Sequence, residues 1–150
     1  MLNYELIRKE IGNPSFSLNN FHLWIQGRQF PASKDYWDGN WLNAIALFEN
    51  ENTSIKISGS FIHLQEIDNW LKELIILNKS LKGKAELKCR ERNLYISLEI
   101  DAFGKICYIL KLTPNHLNEK HEFELIIDQT FLNDLISSLE KILKEYDIRK

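Results

Sequence analysis

Apolar residues recur at helical spacing in two stretches of the chain, at about residues 64–78 and 129–146. Each stretch predicts an amphipathic helix, because residues three and four apart share one helical face. The stripe of the first helix consists of Leu64, Ile67, Leu71, Leu74 and Ile75. The stripe of the second consists of Phe131, Leu132, Leu135, Ile136, Leu139, Ile142, Leu143 and Tyr146. Trp70 lies at the margin of the first stripe, where we expect it to pack against a strand edge.

One end of each predicted helix is also marked by a residue type. Gly83 follows the first helix and is expected to stop it, because glycine adopts the left-handed backbone conformation easily. Asp128 precedes the second helix, where its carboxylate can accept a hydrogen bond from the amide of Thr130 or Phe131. The helix bounds therefore have local support beyond the apolar stripe.

Other stretches show the two-residue alternation of strands. Residues 41–48 are almost continuously apolar and predict a strand buried on nearly both faces, and residues 54–61 predict a half-exposed strand after a polar turn. Alternation resumes after the first helix and predicts further strands at about 85–89, 94–100, 106–112 and 121–127.

The turn Asp101-Ala102-Phe103-Gly104 sets the register of one predicted hairpin. Glycine in the last position suits a turn that closes with a positive φ. If Asp101 opposes Lys105, every apolar residue of one strand faces an apolar residue of the other. The predicted pairs are Ile100 with Ile106, Leu98 with Tyr108, Ile96 with Leu110, and Leu94 with Leu112.

The N-terminal region allows more than one interpretation. Residues 1–11 fit both a strand and a helix, and the phase of the alternation slips at Asn19-Asn20, which indicates a bulge or a short turn.

The strands and helices together predict an α+β fold, with a curved, mainly antiparallel β-sheet of about six to eight strands and two amphipathic helices packed on it. At 150 residues without a linker or repeat, the chain is expected to be one domain.

Composition places the chain among ordinary globular proteins. Hydrophobic residues make up 44% and charged residues 27%, and no apolar run approaches the roughly 20 residues of a membrane span. The N-terminus lacks the apolar core of a signal peptide, so a cytoplasmic location without membrane contact is expected. The net charge of −2 does not favour nucleic acid, although acids dominate residues 31–76 and 117–150 and bases dominate residues 77–116.

The residues that carry chemistry form no recognised catalytic or metal-binding pattern. The four histidines are scattered, and Cys89 and Cys107 have no metal-ligand spacing, so we expect free thiols on opposite faces and no metal or cofactor. A small enzymatic α+β domain is one alternative and needs Asp35 and Asp38 to meet a histidine in a pocket. A nucleic-acid-binding domain is another and needs one continuous stripe formed by Lys79, Lys82, Lys84, Lys88, Arg90 and Arg92.

The stretch Asp35-Tyr36-Trp37-Asp38-Gly39-Asn40-Trp41-Leu42 is the densest in aromatic residues. In one interpretation it is a loop that fixes its aromatic side chains on the core before the strand begins. In the other it is an acidic and aromatic contact surface, because exposed Trp and Tyr are frequent binding anchors. Residue chemistry leaves both open.

Three features in this order resemble the WapI family of bacterial immunity proteins. The stretch Asp35-Tyr36-Trp37-Asp38-Gly39-Asn40-Trp41-Leu42 resembles the Asp-x-Asn-Trp-Leu motif that precedes a strand in that family. A helix, a short strand led by Gly83 and a meander with Gly104 before Lys105-Ile106 follow in the same order. Asp128-Gln129-Thr130-Phe131-Leu132 is similar to the start of the family's last helix, and the resemblance runs from about residue 16 to 146.

The resemblance implies a cytoplasmic protein that is not an enzyme. Such a protein binds and neutralises the C-terminal domain of a cognate polymorphic toxin of the contact-dependent kind, often an RNase. It fixes neither the toxin's identity nor an oligomeric state, and it implies that shared motifs are structural. An acidic face suits a basic RNA-binding groove. The hypothetical toxin-binding residues are Asp35, Tyr36, Trp37, Asp38, Glu49, Glu51, Glu66 and Asp68.

Overall fold

Eight strands and four helices follow one another in the computed structural model, which describes residues 2–150. The helices are α1 (Leu2–Ile11), α2 (Tyr36–Gly39), α3 (Leu64–Ser80) and α4 (Thr130–Glu145). The strands are β1 (Phe16–Leu18), β2 (Phe21–Arg28), β3 (Trp41–Glu49), β4 (Ser54–His63), β5 (Gly83–Lys88), β6 (Leu94–Ile100), β7 (Ile106–Leu112) and β8 (Glu122–Ile127).

The strands form two antiparallel sheets of four strands each, in the orders β1-β2-β3-β4 and β5-β6-β7-β8. The α+β class and the antiparallel strands are therefore confirmed, with the strands divided between two sheets. Helix α3 connects the sheets along the chain. Its buried residues, those of α4 and the inner faces of both sheets join in one hydrophobic cluster, so the two sheets share a core.

The N-terminal region is helical, with Met1 outside the described residues. Helix α1 lies on the outer face of the first sheet, where the Tyr4 ring packs 4.1 Å from the His22 ring and 6.0 Å from the Trp24 ring, measured between centroids. The phase slip is a turn, and Asn19 takes a φ of 55° between β1 and β2. Asparagine tolerates this left-handed conformation better than most residues.

The register of the β6–β7 hairpin is confirmed at every predicted pair, including Leu98 with Tyr108 and Ile100 with Ile106. The amide of Asp101 donates to the carbonyl of Lys105 at 2.9 Å, and Gly104 takes a φ of 82°. Both cysteines are free. Cys89 packs against the core, whereas Cys107 lies on the outer face with its sulfur 3.9 Å from the Glu124 carboxylate.

Two details of α3 differ from the prediction. Trp70 is fully buried at the centre of the stripe and packs edge-on to Phe16, whereas Ile75 is 45% exposed and Leu77 is buried in its place. The buried stripe passes through positions 67, 70, 74 and 77, because the shared core accepts the large indole ring. The helix also ends at a different residue from the one predicted: Leu81, with a φ of 56°, is the left-handed residue that ends it, and its amide donates to the Leu77 carbonyl. Gly83 has a positive φ of 100° as well but lies beyond the helix end.

Helix α4 begins at Thr130 and carries the predicted apolar stripe, with Leu132, Leu135, Leu139 and Ile142 buried. The Asp128 carboxylate accepts from the Thr130 amide at 2.8 Å, as predicted, and also from the Thr130 hydroxyl. Within residues 2–150, no helix combines the length and apolar character needed to cross a membrane.

Candidate functional site

Helix α2 presents two aromatic side chains next to the start of β3. The carboxylate of Asp35 accepts hydrogen bonds from the amides of Trp37, at 2.9 Å, and Asp38, at 3.2 Å, and so caps this short helix. Tyr36 is 40% exposed and Trp37 is 44% exposed. The capped turn therefore holds two large half-exposed rings at the surface.

His63 lies beneath these rings and is 3% exposed. Its ring stacks on Trp37 at a centroid distance of 5.4 Å and contacts Tyr36 at the same distance. Trp41 meets Trp37 and His63 edge-on, at 5.3 and 5.1 Å. We call Tyr36, Trp37, Trp41 and His63 the aromatic cluster. Each ring supports its neighbours, so the exposed pair has little freedom to move.

His63 also caps α3, and the cap fixes its protonation state. Its Nδ1 accepts from the Gln65 amide at 3.1 Å and must carry no proton, so Nε2 donates to the Trp37 carbonyl at 3.2 Å. The His63 amide donates to the Glu66 carboxylate, which completes a capping box. Burial lowers the pKa of His63, although hydrogen bonds to the Trp37 and Tyr36 backbone act in the opposite direction.

Arg90 and Glu66 join the second sheet to this cluster. The Arg90 guanidinium lies 5.1 Å from the centroid of the Trp37 ring, within the range of a cation–π contact. The Arg90 amide donates to the Glu66 carboxylate at 2.7 Å. Burial raises the pKa of Glu66, partly offset by the hydrogen bonds from Arg90 and His63. Trp37 is thus held between His63 and Arg90.

Asn40 anchors the cluster from behind and is fully buried. Its amide nitrogen donates to the carbonyls of Tyr36 and Arg149, and its oxygen accepts from the Arg149 amide and the Arg28 guanidinium. Next to it, a Cβ on Gly39 would lie 2.8 Å from the carbonyl oxygen of Ser33. Only glycine allows that approach without movement of the backbone.

The structure divides the predicted contact residues into two groups. Asp35 and Asp38 lie on or beside α2, and Glu66 and Asp68 lie in the first turns of α3, next to the aromatic cluster. Glu49 and Glu51 lie at the opposite end of β3, about 26 Å from Trp41, because a strand rises about 3.3 Å per residue. The predicted acids therefore do not form one patch.

Glu49 has a role within the fold. It is 5% exposed, and its carboxylate accepts from the Tyr4 amide at 3.0 Å and from the Ser54 hydroxyl at 3.2 Å. Burial acts to raise its pKa, but hydrogen bonds from Tyr4, Asn3 and Ser54 outweigh it and lower the pKa. Glu49 thus ties α1 to the first sheet, while Glu51 is exposed in the following turn.

Glu86 interrupts the predicted stripe of basic residues between Lys79 and Arg92. The Lys84 and Lys88 ammonium groups lie 3.9 and 3.6 Å from the Glu86 carboxylate, whose pKa is lowered first by a hydrogen bond from Tyr95. Arg90 is turned towards Trp37. In residues 2–150, no three His, Cys, Asp or Glu side chains are grouped so as to hold a metal ion.

The sequence analysis named Asn40 within a motif and Arg90 within the basic residues, but it did not predict that these residues, His63 and Arg149 support the aromatic cluster. His63 had one usable signal, since Glu66 follows it at the spacing of a capping box, but histidine is not a usual cap residue. The other three act through contacts between segments far apart in sequence, such as Asn40 with Arg149. No local pattern indicates these long-range contacts.

Two of the resembling motifs have structural explanations. In Asp38-Gly39-Asn40-Trp41-Leu42, Gly39 permits a close approach, Asn40 is a buried hydrogen-bonding hub, and Trp41 and Leu42 are buried. In the second motif, Asp128 bonds to Thr130, and the Gln129 side chain donates to the Gly104 carbonyl at 3.2 Å. Both motifs hold segments of the fold together.

A comparison with curated proteins finds no match. Residues 13–147 of the 150-residue chain match the family described as "Immunity protein WapI-like family". The matched region includes both motifs, the aromatic cluster and all eight strands. The chain therefore belongs to the WapI-like immunity protein family.

Proposed function

We propose that this chain is a cytoplasmic immunity protein that neutralises a cognate toxin domain by binding it in a one-to-one complex, without catalysis. Its family is one of immunity proteins. The observation that carries the proposal is the pair of half-exposed, well-supported rings, Tyr36 and Trp37, with carboxylates beside them. We call Asp35, Tyr36, Trp37, Asp38, Glu66 and Asp68 the α2–α3 surface.

The support of the rings favours a contact role. Binding free energy concentrates in a few residues, and Trp and Tyr are prominent among them. An anchor that is already ordered loses less conformational entropy when a partner binds. Trp37 is fixed between His63 and Arg90 and still leaves 44% of its surface exposed. Its exposed part is therefore ready to enter a pocket on the toxin.

The charge of the surface suits an RNase as the toxin. An RNase binds phosphates through basic side chains, and an acidic inhibitor speeds association with such a groove. Asp35 and Glu66 already accept backbone hydrogen bonds, and Asp68 lies 2.9 Å from Lys72. Asp38 is exposed, and its carboxylate accepts no hydrogen bond within the described chain, so it is the carboxylate best placed to meet a cationic partner.

Titration of the toxin domain with this protein tests the proposal. Stoichiometric inhibition predicts that toxin activity falls linearly and reaches its minimum at one equivalent of immunity protein. A stable complex of both proteins is expected on size-exclusion chromatography. Loss of activity at far below one equivalent would indicate catalysis and contradict the proposal. Failure to form a complex with the toxin would contradict it as well.

A further inference from the structure

The second sheet has one closed edge and one open edge. At the β5 edge, carboxylates of α3 accept backbone amides: Glu73 accepts from Glu86 and Glu66 accepts from Arg90, both at 2.7 Å. At the other edge, β8 pairs with β7 on one side only. An unpaired edge is a template for another strand.

The register identifies the free backbone groups of β8. The Leu112 amide donates to the His121 carbonyl, so the backbone groups of His121 point towards β7. In an antiparallel strand, the backbone groups of successive residues point alternately to one neighbouring strand and to the other side. The amides and carbonyls of Glu122, Glu124 and Ile126 therefore point away from β7. No hydrogen bond formed within residues 2–150 reaches those three amides.

Strand β8 lacks three of the devices that protect exposed edges, namely lysine, proline and a bulge. The free edge of β4 in the first sheet carries Lys56, and a bulge near Gly59 disrupts its pairing with β3. Lysines and bulges discourage edge-to-edge association. The sequence of β8, Glu-Phe-Glu-Leu-Ile-Ile, has no lysine or proline, its register with β7 is unbroken, and Ile126 is 71% exposed.

The outer face of β8 indicates the charge of the occupant. Glu122, Glu124 and Ile126 point to this face, and Lys111 lies 3.6 Å from Glu122. Glu124 has no ion pair inside the described chain. A second copy of β8 added antiparallel about Glu124, the middle of the three residues with free backbone groups, would set Glu124 against the same residue of the other copy, which is unfavourable. The acidic edge therefore suits a basic strand.

We propose that β8 adds an extended segment of a partner protein as a fifth, antiparallel strand of the second sheet. The segment carries Lys or Arg opposite Glu122 and Glu124 and an apolar residue opposite Ile126. This surface is built from residues other than those of the α2–α3 surface, and the proposal does not depend on that surface or on the toxin's identity. Main-chain hydrogen bonds supply affinity and the alternating side chains supply specificity.

Hydrogen exchange with a synthetic peptide tests the proposal. The probe is acetyl-Ile-Val-Val-Lys-Val-Lys-amide, which matches β8 in antiparallel orientation, and the control is the same peptide with Glu in place of Lys. At saturating probe, exchange of the Glu122, Glu124 and Ile126 amides is expected to slow by about tenfold or more. Unchanged exchange, or equal protection by the acidic control, would overturn the proposal. Protection that grows with protein concentration alone would assign the edge to a second copy and overturn it too.

Two variants separate edge pairing from general effects. Glu124→Pro removes an amide that faces away from β7, so the sheet is expected to persist while affinity for the probe falls by about tenfold. Lys56→Pro is the matched control, because the turn bond from Asn50 to Thr53 and the β3–β4 register put that amide on the free edge of β4.

The double variant Glu122→Lys with Glu124→Lys keeps every backbone amide and is expected to prefer the acidic peptide. If the double variant still prefers the basic probe, charge does not select the occupant and the proposal fails.

Discussion

The buried side chain of Asn40 is the point where three segments of the chain meet. It bonds to α2 through the Tyr36 carbonyl, to β2 through Arg28 and to the C-terminal residues through Arg149. Because every polar atom of the amide is used, its removal leaves several buried groups without partners. Asn40 thus determines where α2 places its aromatic rings.

The variant Asn40→Ala is expected to lower the free energy of unfolding by about 2–3 kcal/mol, since buried donors and acceptors lose their partners. Urea denaturation measures the change. Asn43→Ala is the matched control, because Asn43 is exposed and bonds to the Ser60 hydroxyl at the surface. Equal effects of the two variants would show that the hub does not stabilise the fold.

The state of His63 predicts a pH dependence of stability. Its folded pKa lies below the ordinary value of 6.5, so the unfolded chain binds the proton more tightly. Its contribution is fully present above pH 6.5 and is lost as pH falls from there through the lowered pKa. His22 has a pKa lowered by burial and acts in the same direction, whereas the raised pKa of Glu66 acts in the opposite direction in more acidic solution.

The variant His63→Asn tests this dependence. Asparagine is a good helix cap, so the variant can keep the bond to the Gln65 amide while it removes the titrating group. The free energy of unfolding, measured between pH 7.5 and 5.5, is expected to fall less steeply in the variant than in the wild type. If His63→Asn leaves the slope unchanged, His63 does not take up its proton in this range.

The position of the aromatic stretch could be predicted from the sequence, but the residues that support its rings could not. The density of Trp and Tyr at residues 35–42 marked the site, and Trp41 is in the core while Trp37 is half exposed. Which ring is buried depends on the pairing of Trp41 with His63 across β3 and β4. That pairing lies beyond any local pattern.

At the scale of elements, helix α4 depends on its first turn as well as on its apolar stripe. The Asp128 carboxylate accepts from the Thr130 amide at 2.8 Å. Asp128→Ala is expected to lower the denaturation midpoint of the protein through loss of this bond. Asp134→Ala, at an exposed position of the same helix, is the control. An unchanged denaturation midpoint for Asp128→Ala would mean that the bond does not stabilise the helix.

The hairpin β6–β7 was predictable in full and α3 only in part. In the hairpin, the alternation of apolar and polar residues selects the register in which apolar residues face each other. The turn glycine selects the same register. In α3, Ile75 and Leu77 are equally apolar, and the position of Trp70 in the shared core decides which is buried. Helix α1 has ten residues, too few for the sequence to separate helical from strand spacing.

At the scale of the whole molecule, the division into two sheets was not predictable. Each sheet consists of strands that follow one another along the chain, and α3 carries the chain from β4 to β5. Whether β5 would pair with the first sheet depends on the closure of its edge by Glu66 and Glu73. Alternating strands carry no information about such side-chain contacts.

We propose that the two sheets fold as one domain, because both contribute to one hydrophobic cluster. Thermal or urea unfolding is then expected to be a single cooperative transition. Tryptophan fluorescence reports mainly on the first sheet, since three of the four tryptophans lie in that sheet or in α2, whereas far-ultraviolet circular dichroism reports on the whole backbone. The two unfolding curves should therefore coincide. Two separated transitions would show that the sheets unfold independently.

The association rate with the toxin domain measures directly whether the α2–α3 surface binds the toxin. Asp38→Lys and Glu51→Lys reverse one exposed acid each, at opposite ends of β3. If the toxin binds this surface, Asp38→Lys is expected to slow association by about tenfold at low salt, with a smaller difference at high salt, while Glu51→Lys is expected to change the rate by less than about twofold. Equal rates for both variants and the wild type, or a larger loss for Glu51→Lys, would contradict binding at this surface.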